Sequence, residues 1–479
     1  MPKSLLPQRI LLTALSVFSV SVSAQLDKAA ILDALDSDYG RYQSIAETLW
    51  SSPELGYLEV QSTRLLQDAL QEEGFTVEAG VAGMPTAFTA SFGSGGPVIG
   101  ILGEYDALPG MSQAAVPYEE PLSEGAPGQA CGHHLFGTAS LAAAVAVKNW
   151  LVESGTPGTI RYYGTPAEEG GSGKVYMVRA GLFNDVDAVI SWHASDANTA
   201  NPGTNLATIS GKFRFTGRSA HAAAAPERGR SALDGVEAMN DMVNMLREHT
   251  TEPTRIHYVI TDGGNAPNIV PKTAEVYYVI RHEDVDEVRS VWARVVRTAE
   301  GAAMGTETSM EYEIIGGTYP RLPNEALAST LHANLTQVGG VEYSKEDLSF
   351  AREIQATLSG SLPDIASAGV VQPKVFTRGK ASADTGDVSW NVPMAAMRAA
   401  TWVPGTPAHS WQAVAAGGTS IGYKGMMVAA KTLALSAVDL YTQPELLTRA
   451  RAEFEERIGP DFQYEALLGD REPALDYRK

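Results

Sequence analysis

Cysteine is nearly absent from this chain of 479 residues, which contains Cys131 alone. A single cysteine cannot form an internal disulfide, so a small scaffold held together by disulfides is excluded. The thiol is therefore unpaired, bound to a ligand or buried as an apolar side chain. It lies in the sequence ACGHH, close to His133, and this setting makes it a candidate ligand.

Positive charge is also scarce, because 36 Lys and Arg stand against 56 Asp and Glu and give a formal net charge of −20. Such a chain repels phosphate backbones and anionic membranes, and no basic stripe with interleaved aromatics compensates. Nucleic acid is therefore not expected as a partner. An anionic small molecule remains a candidate substrate, since a local arginine decides whether a pocket accepts it.

Long apolar runs are missing after the N-terminus, so no membrane span is expected in the mature chain. The N-terminal run Ile10–Val20 follows Lys3 and Arg9 and precedes the small residues VSA that end at Ala24. This is the pattern of a signal peptide, and the run is shorter than the ~20 residues that a spanning helix needs. We predict a signal peptide over residues 1–24 and an exported protein, periplasmic or secreted. An N-terminal anchor is the less favoured alternative.

Short apolar runs alternate with helical stretches along most of the chain. A helical stretch is expected over Leu26–Glu73, and further helices are expected over Leu135–Glu153 and near Leu182. Alternating strands and helices, with strands that are apolar throughout, favour an α/β fold with a mostly parallel sheet and helices on both faces. The predicted strands are Ala87–Phe92, Val98–Leu102, Thr159–Tyr163, Ala188–Ser191 and Ala396–Trp402.

The pattern changes between residues 205 and 320. A strand-like ATISGKFRFTG is followed by a helix, two strands, a second helix and a further strand. This β-α-β-β-α-β order is typical of a ferredoxin-like unit. We therefore predict an inserted α+β domain at 205–320, with 25–204 and 321–479 forming the catalytic domain.

Side chains able to bind metal follow the predicted strands. In open α/β sheets, ligands bind beyond the carboxyl ends of the strands, so we expect these side chains to meet. Taken singly, a buried histidine, a buried cysteine or a pair of glutamates is more often structural. Their coincidence at one predicted edge favours a site. The residues concerned are Glu104, Asp106, Cys131, His133, Glu168, Glu169, His193 and His409.

The donor types narrow the chemistry. Thiol, imidazole and carboxylate together suit a borderline-soft cation such as Zn²⁺, or Mn²⁺ where oxygen donors dominate. Five or six ligands are too many for one tetrahedral ion and suit two ions that share a ligand. The adjacent Glu168 and Glu169 offer one carboxylate for metal and one for proton transfer, an arrangement that suits hydrolysis.

These motifs resemble the aminoacylase and carboxypeptidase family of di-metal metallopeptidases, and within it the amidohydrolase branch that includes p-aminobenzoyl-glutamate and auxin-conjugate hydrolases. The likeness extends from residue 49 to residue 412 and so covers nearly the whole mature chain. The matching stretches are LWSSPELGY, GVAGMPTAF, ILGEYDALPGMSQ, ACGHHLFGT, TPAEEGGSGK, GRSAHAAAAPE, NIVPKTAEV, DTGDVSW and PGTPAHSWQ.

The resemblance implies a role for each matching residue. Glu168 is the general base, and Asp106 orients a ligand from behind it. His221 is a residue of the inserted lid domain that reaches the partner subunit's active site, which implies a homodimer formed through that domain. Asn268 and Arg281 contact the substrate carbonyl and carboxylate. The implied metal ligands are Cys131, His133, Glu169, His193 and His409.

Two positions depart from the family pattern. Relatives carry Asn or Asp where this chain has His134, and many have Asp where it has Glu104. Either change can alter metal preference or pocket shape, so neither residue is assigned as a ligand.

Two further motifs suggest other enzymes. Residues 418–422 match the G-x-S-x-G pattern of serine hydrolases, but no histidine follows His409 to complete a triad. The sequence GGSGKV lacks the first glycine and the Ser or Thr of a phosphate loop. We therefore predict an amidohydrolase that cleaves small N-acyl or N-aroyl amino acids or dipeptides with two divalent cations. The alternative is a non-catalytic, metal-dependent binding protein on the same fold.

Overall fold

Two large sheets organise residues 28–479, the part of the chain that this computed structural model describes. The predicted signal peptide, residues 1–24, lies outside that part. The strands of the larger sheet are β1 (Thr76–Ala79), β2 (Phe88–Ser94), β3 (Val98–Gly103), β4 (Gly158–Gly164), β5 (Ala188–Ser195) and β12 (Met394–Ala400). Their order is β1-β2-β4-β3-β5-β12. Strands β4, β3, β5 and β12 are parallel to one another, and β2 is antiparallel to both of its neighbours, β1 and β4.

Helices cover both faces of this sheet. They are α1 (Tyr39–Ser51), α2 (Val60–Glu72), α3 (His133–Ser154), α4 (Gly173–Arg179), α7 (Glu325–Val338), α8 (Lys345–Thr357), α9 (Thr385–Ser389), α10 (Trp411–Gly417), α11 (Ser420–Thr442) and α12 (Pro444–Ile458). Helix α3 is apolar on every side because it lies in the middle of the core. The length and composition of α3 are sufficient for a membrane span, so the expectation that no segment after the N-terminus could span a membrane is wrong on those criteria. However, 83% of the most apolar window of α3 is buried inside the protein.

The smaller sheet is antiparallel and belongs to the inserted unit. Its elements are β7 (Ala207–Thr216), α5 (Ala232–Arg247), β8 (Arg255–Asp262), β9 (Thr273–His282), α6 (Val285–Gly305) and β10 (Ser309–Thr318), with the strand order β10-β7-β9-β8. Strand β9 alternates buried and more exposed side chains, so one of its faces packs on the two helices. Phe213, Val276 and Trp292 belong to the separate core between them. The predicted α/β fold with an inserted ferredoxin-like domain is therefore confirmed, and we call the inserted unit the lid domain.

Residues 459–479 connect the two domains, and we call them the C-terminal tail. Leu467 is buried in the core of the lid domain. Arg471 pairs with Glu313 of β10 at 2.8 Å. Further along, the Tyr477 hydroxyl donates a hydrogen bond to the backbone carbonyl of Glu169 in the larger domain. The tail thus links the lid to the loop that follows β4.

The structure differs from the sequence-based map in several details. The predicted helix within Leu26–Glu73 is interrupted around Pro53, which removes a backbone donor, and Tyr57 has a left-handed φ of 64° there. Helix α4 ends at Arg179, before Leu182. The sequence pattern did not predict β1, nor the short parallel pair of β6 (Gly203–Thr204) and β11 (Thr377–Arg378).

Candidate metal centre

The candidate ligands converge at the carboxyl ends of the parallel strands. Glu104 and Asp106 follow β3, and Glu168 and Glu169 follow β4. His193 lies near the end of β5. Cys131 and His133 come from the turn that opens α3, and His409 comes from the loop after β12. The topology therefore delivers these side chains to one end of the sheet, as the position of strand ends predicts.

The implied ligands form two overlapping groups. The ligand atoms of Cys131, His133 and His193 lie within 4.8 Å of one another, and so do those of Cys131, Glu169 and His409. The Cys131 thiol is 3.5 Å from Nε2 of His193. Nε2 of His409 is 3.0 Å from a carboxylate oxygen of Glu169. Because Cys131 belongs to both groups, the geometry suits two cations that share the thiolate.

A third group contains Glu104, which the sequence analysis left unassigned. Its ligand atom lies within 4.8 Å of those of His133 and Glu168. Oε2 of Glu104 is 3.0 Å from Nε2 of His133. Its other oxygen, Oε1, lies 2.6 Å from the ammonium of Lys174, which also pairs with Asp384 at 2.8 Å. Lys174 therefore turns one Glu104 oxygen towards itself and leaves the other facing the cluster.

Buried atoms that lack a partner test whether this site suits metal. Oε2 of Glu104, Nε2 of His133 and Oε1 of Glu169 are buried and make no hydrogen bond within residues 28–479. Leaving such groups unsatisfied costs about 1–3 kcal/mol each. All three are lone-pair donors aimed into the cluster. They belong to different ligand groups, Glu104 and His133 to one and Glu169 to another, so more than one divalent cation would satisfy them. The donor set therefore fits the metals that its chemistry implies.

Hydrogen bonds hold the imidazole rings in the orientation that ligands need. Nδ1 of His133 donates to Asp106 at 2.9 Å, and Nδ1 of His193 donates to the Ala194 carbonyl at 2.8 Å. Each bond engages Nδ1, so Nε2 is the ring nitrogen that faces the cluster. The second oxygen of Asp106 accepts the Glu169 amide at 2.9 Å. Asp106 thus orients the His133 ring and the backbone of Glu169 at the same time.

The electrostatics of the cluster shift the pKa of the Cys131 thiol and the pKa of Glu168, the general-base candidate, in opposite directions. Burial opposes ionisation of Cys131, but the charges of His133 and His193 outweigh it and lower the pKa of the thiol to about 5. Burial raises the pKa of Glu168 well above its ordinary value, and Glu104 and Glu169 add to the effect. One site therefore contains a group that readily gives up its proton and one that readily takes a proton.

The C-terminal tail contacts the loop that follows β4 directly. The Glu169 carbonyl accepts hydrogen bonds from the Tyr477 hydroxyl at 3.0 Å and from Nη2 of Arg478 at 2.7 Å. Gly170 follows with a φ of 93°, a conformation that favours glycine. Both backbone ends of Glu169 are therefore held, the amide by Asp106 and the carbonyl by the tail.

The three lid residues implied by the resemblance do not all reach this cluster. Arg281 lines the cavity above it. His221 and Asn268 are exposed and lie next to each other, since the Ala222 amide donates to the Asn268 carbonyl at 3.0 Å. Neither lines the cavity of its own chain.

The remaining sequence candidates have structural roles. His134 is buried, and its Nε2 contacts the Gly417 carbonyl at 3.0 Å, outside the three ligand groups. Burial lowers the pKa of this ring to about 3. Ser420 of the serine-hydrolase motif begins α11, donates a hydrogen bond to Asp347 and does not line the cavity.

Metal-dependent hydrolases of the α/β class place their ligands at strand ends in this way, and comparison with known proteins identifies the group. The family described as a peptidase dimerisation domain matches residues 206–306. One of the p-aminobenzoyl-glutamate hydrolase subunits of Escherichia coli (strain K12) is 44% identical over 452 residues, covering 88% of this chain and 94% of that protein. This chain belongs to the M20 family of metallopeptidases and amidohydrolases.

More distant relatives agree. The Xaa-Arg dipeptidase of Mus musculus is 28% identical over 466 residues, covering 94% of this chain and 96% of that protein. A dinuclear metal binding peptidase of the M20 family from Bacillus subtilis shares the fold, with a TM-score of 0.57 and 18% identity over 85% of this chain and 99% of that chain. The predictions of the family and of an amide-bond hydrolase are confirmed. The matched dimerisation domain also indicates that the chain forms oligomers.

Proposed function

We propose that this protein hydrolyses the amide bond of small N-acyl or N-aroyl amino acids or dipeptides. The observation that carries the proposal is the convergence of two ligand groups on Cys131, with Glu168 beside them, at one end of a cavity of about 790 Å³. Cavities of this size accept small molecules. The printed names of the relatives, a p-aminobenzoyl-glutamate hydrolase and a dipeptidase, concern bonds of the same kind.

Two divalent cations, Zn²⁺ or Mn²⁺, fit the donor set. When bound, they supply Lewis-acid polarisation of a carbonyl and a lowered pKa for water. The chain contributes ligands of fixed orientation, because Asp106 and the Ala194 carbonyl hold the His133 and His193 rings. The proposed ligands are Cys131, His133, Glu169, His193 and His409.

Glu168 carries the proton in the proposed reaction. Its carboxylate takes a proton from the attacking water and later gives it to the nitrogen of the departing amine. It lies beside His133 and Glu104 and lines the cavity, so it can reach both the water and the substrate. Lys174 supports this step by pairing with the Glu104 and Asp384 carboxylates, and Asp106 supports it by accepting from the His133 ring and the Glu169 amide.

The lid supplies the substrate contacts in this proposal. Arg281 faces the cavity from β9 and holds the substrate carboxylate. His221 and Asn268 are exposed away from their own cavity, so we assign them to the active site of a partner subunit, where they stabilise the oxyanion. This arrangement requires a homodimer formed through the lid domain.

Export completes the proposal. Residues 1–24 direct secretion and are removed, so the mature chain is periplasmic or secreted and consists of the catalytic segments 25–204 and 321–479 with the lid at 205–320. N-terminal sequencing of the protein from fractionated cells tests this, and an intact N-terminus in the cytoplasmic fraction would contradict it.

Replacing Glu168 by Gln tests the central role. General acid–base catalysis typically contributes about 10²–10⁴ in rate, so turnover of N-acyl amino acids should fall by that factor while bound metal stays the same. Cys131→Ser should instead lower both metal content and turnover. Glu72→Gln, on the exposed side of α2, is the matched control and should change neither. Near-normal turnover in Glu168→Gln would rule out the assignment.

A further inference from the structure

Three arginines line the cavity without a carboxylate to neutralise them. Arg281, Arg321 and Arg398 all border it, and none forms an ion pair within residues 28–479. Two neighbouring cations behave differently, because Arg378 and Lys380 approach Glu283 at 2.7 and 3.8 Å. The chain has a net charge of −20, so acidic partners are abundant elsewhere. Unpaired arginines in one cavity therefore indicate an anionic ligand.

Arg321 is held in place by neutral groups. Its amide donates to Oδ1 of Asn205 at 2.6 Å, and its Nε donates to the Gly203 carbonyl at 3.1 Å. These bonds fix the side chain and leave the terminal nitrogens of the guanidinium without a protein partner among the described residues. Burial lowers its pKa to about 10, and the charge of Arg398 adds to the effect. The charged group that acts on Arg321 is thus another cation.

Arg398 lies beside the metal centre. It pairs in register with His193 across the parallel strands β12 and β5, so both side chains point to the same face of the sheet. Its backbone is fixed by two hydrogen bonds to Thr199, at 2.7 and 3.0 Å. Its side chain is exposed to the cavity. The guanidinium is therefore available to a substrate bound next to His193.

The acidic side chains of the cavity do not neutralise this pair. Glu104 and Asp384 share Lys174, and Glu169 faces His409. Glu168 lies with Glu104 and His133 in the ligand cluster. These acids lie at the metal end. Arg281 comes from β9 of the lid domain, and its Nη1 donates to the Ser382 hydroxyl at 3.0 Å.

We propose that Arg321 and Arg398 form a second anion subsite, separate from Arg281, that binds a second carboxylate of the substrate. The inference rests on the proposed function, and it specifies the substrate class as N-acyl amino acids with two carboxylates. Guanidinium groups bind carboxylates through paired, charge-assisted hydrogen bonds, which explains why arginine occupies both positions. The second carboxylate belongs either to the amino acid side chain or to the acyl group.

Matched substrates test the subsite and distinguish these two sources. N-benzoyl-glutamate and N-benzoyl-glutamine differ in a side-chain carboxylate, and N-succinyl-leucine and N-acetyl-leucine differ in an acyl carboxylate. For the metal-loaded protein, kcat/KM should be about 10- to 100-fold higher for the diacid of one pair. Arg398→Gln should remove that preference by lowering kcat/KM for the diacid towards that for the monoacid, and Arg398→Lys should restore part of the preference. Arg378→Gln, at a cation already paired with Glu283, should keep the preference.

Each outcome is decisive. If the protein hydrolyses both members of each pair equally, or if Arg398→Gln keeps the preference, the subsite is refuted while the proposed function stands. If no compound is hydrolysed, the proposed function fails, and calorimetry on the metal-loaded protein then decides the subsite. Tighter binding of one diacid that Arg398→Gln abolishes supports the subsite, and equal binding within both pairs refutes it.

Discussion

Lys174 neutralises two buried carboxylates, so its replacement by Met is a strong test of how the site is held together. Its ammonium lies 2.6 Å from Glu104 and 2.8 Å from Asp384. The exposed fraction is 0% for Lys174 and 1% for each acid. Met has a similar length and no charge. The variant therefore leaves Asp384 buried without a cation and leaves Glu104 with the His133 ring alone, at 3.0 Å.

The cost follows from the burial. Removing one member of a buried ion pair destabilises a protein by about 3–5 kcal/mol, because an unpaired charge stays in a medium of low polarity. Here both carboxylates lose the ammonium, although Glu104 keeps His133, so we expect Lys174→Met to lower the free energy of unfolding by about that amount. Glu104 should also lose its orientation towards His133, so metal affinity should fall as well.

Denaturant unfolding of the metal-free protein, followed by tryptophan fluorescence, measures this loss without a contribution from metal. Lys148→Met is the matched control: Lys148 pairs with Glu73 at 3.0 Å, but both are partly exposed and Glu73 keeps Arg41. That substitution should cost about 1 kcal/mol or less. A loss in Lys174→Met no larger than in the control would refute the reasoning.

Two further predictions concern the edges of the site. Deleting residues 477–479 removes both donors to the Glu169 carbonyl, so kcat and metal affinity should fall together; unchanged values for both would show that the tail does not position this loop. Mixing inactive His221→Ala with inactive Glu168→Gln should restore about a quarter of the wild-type activity, because half of the randomly mixed dimers contain one complete site. No recovery after verified exchange of protomers would place His221 outside the partner's site.

The strand ends made the ligand cluster predictable from sequence. Cys131, His193 and His409 are far apart in the chain, but each lies at the end of an element or in the loop next to it, and those ends meet at one edge of a parallel sheet. Side chains of metal-binding types at such positions are brought together by the sheet, because ligands bind beyond the carboxyl ends of parallel strands. The lid domain was also predictable from sequence. The spacing of apolar residues along 205–320 indicates strands and helices in the β-α-β-β-α-β order, which is typical of a ferredoxin-like unit.

Long-range pairing was not predictable. Lys174 follows the glycines after Glu169, and nothing in that segment indicates that its partner Asp384 lies 210 residues further on. Arg321 and Arg398 come from separate segments, and their lack of acidic partners is a property of the folded cavity. The contact of Tyr477 with the loop after β4 depends on the path of a tail that has no helix or strand, and no periodic pattern of apolar residues predicts such a path.

Anomalous diffraction from crystals of the metal-loaded protein tests the central claim most directly. The account predicts two metal peaks per chain, both at roughly 2.3 Å from the sulfur of Cys131, the usual zinc–thiolate distance. One peak should also contact His133 or His193, and the other Glu169 or His409. A single peak, or peaks remote from Cys131, would contradict the shared two-cation centre.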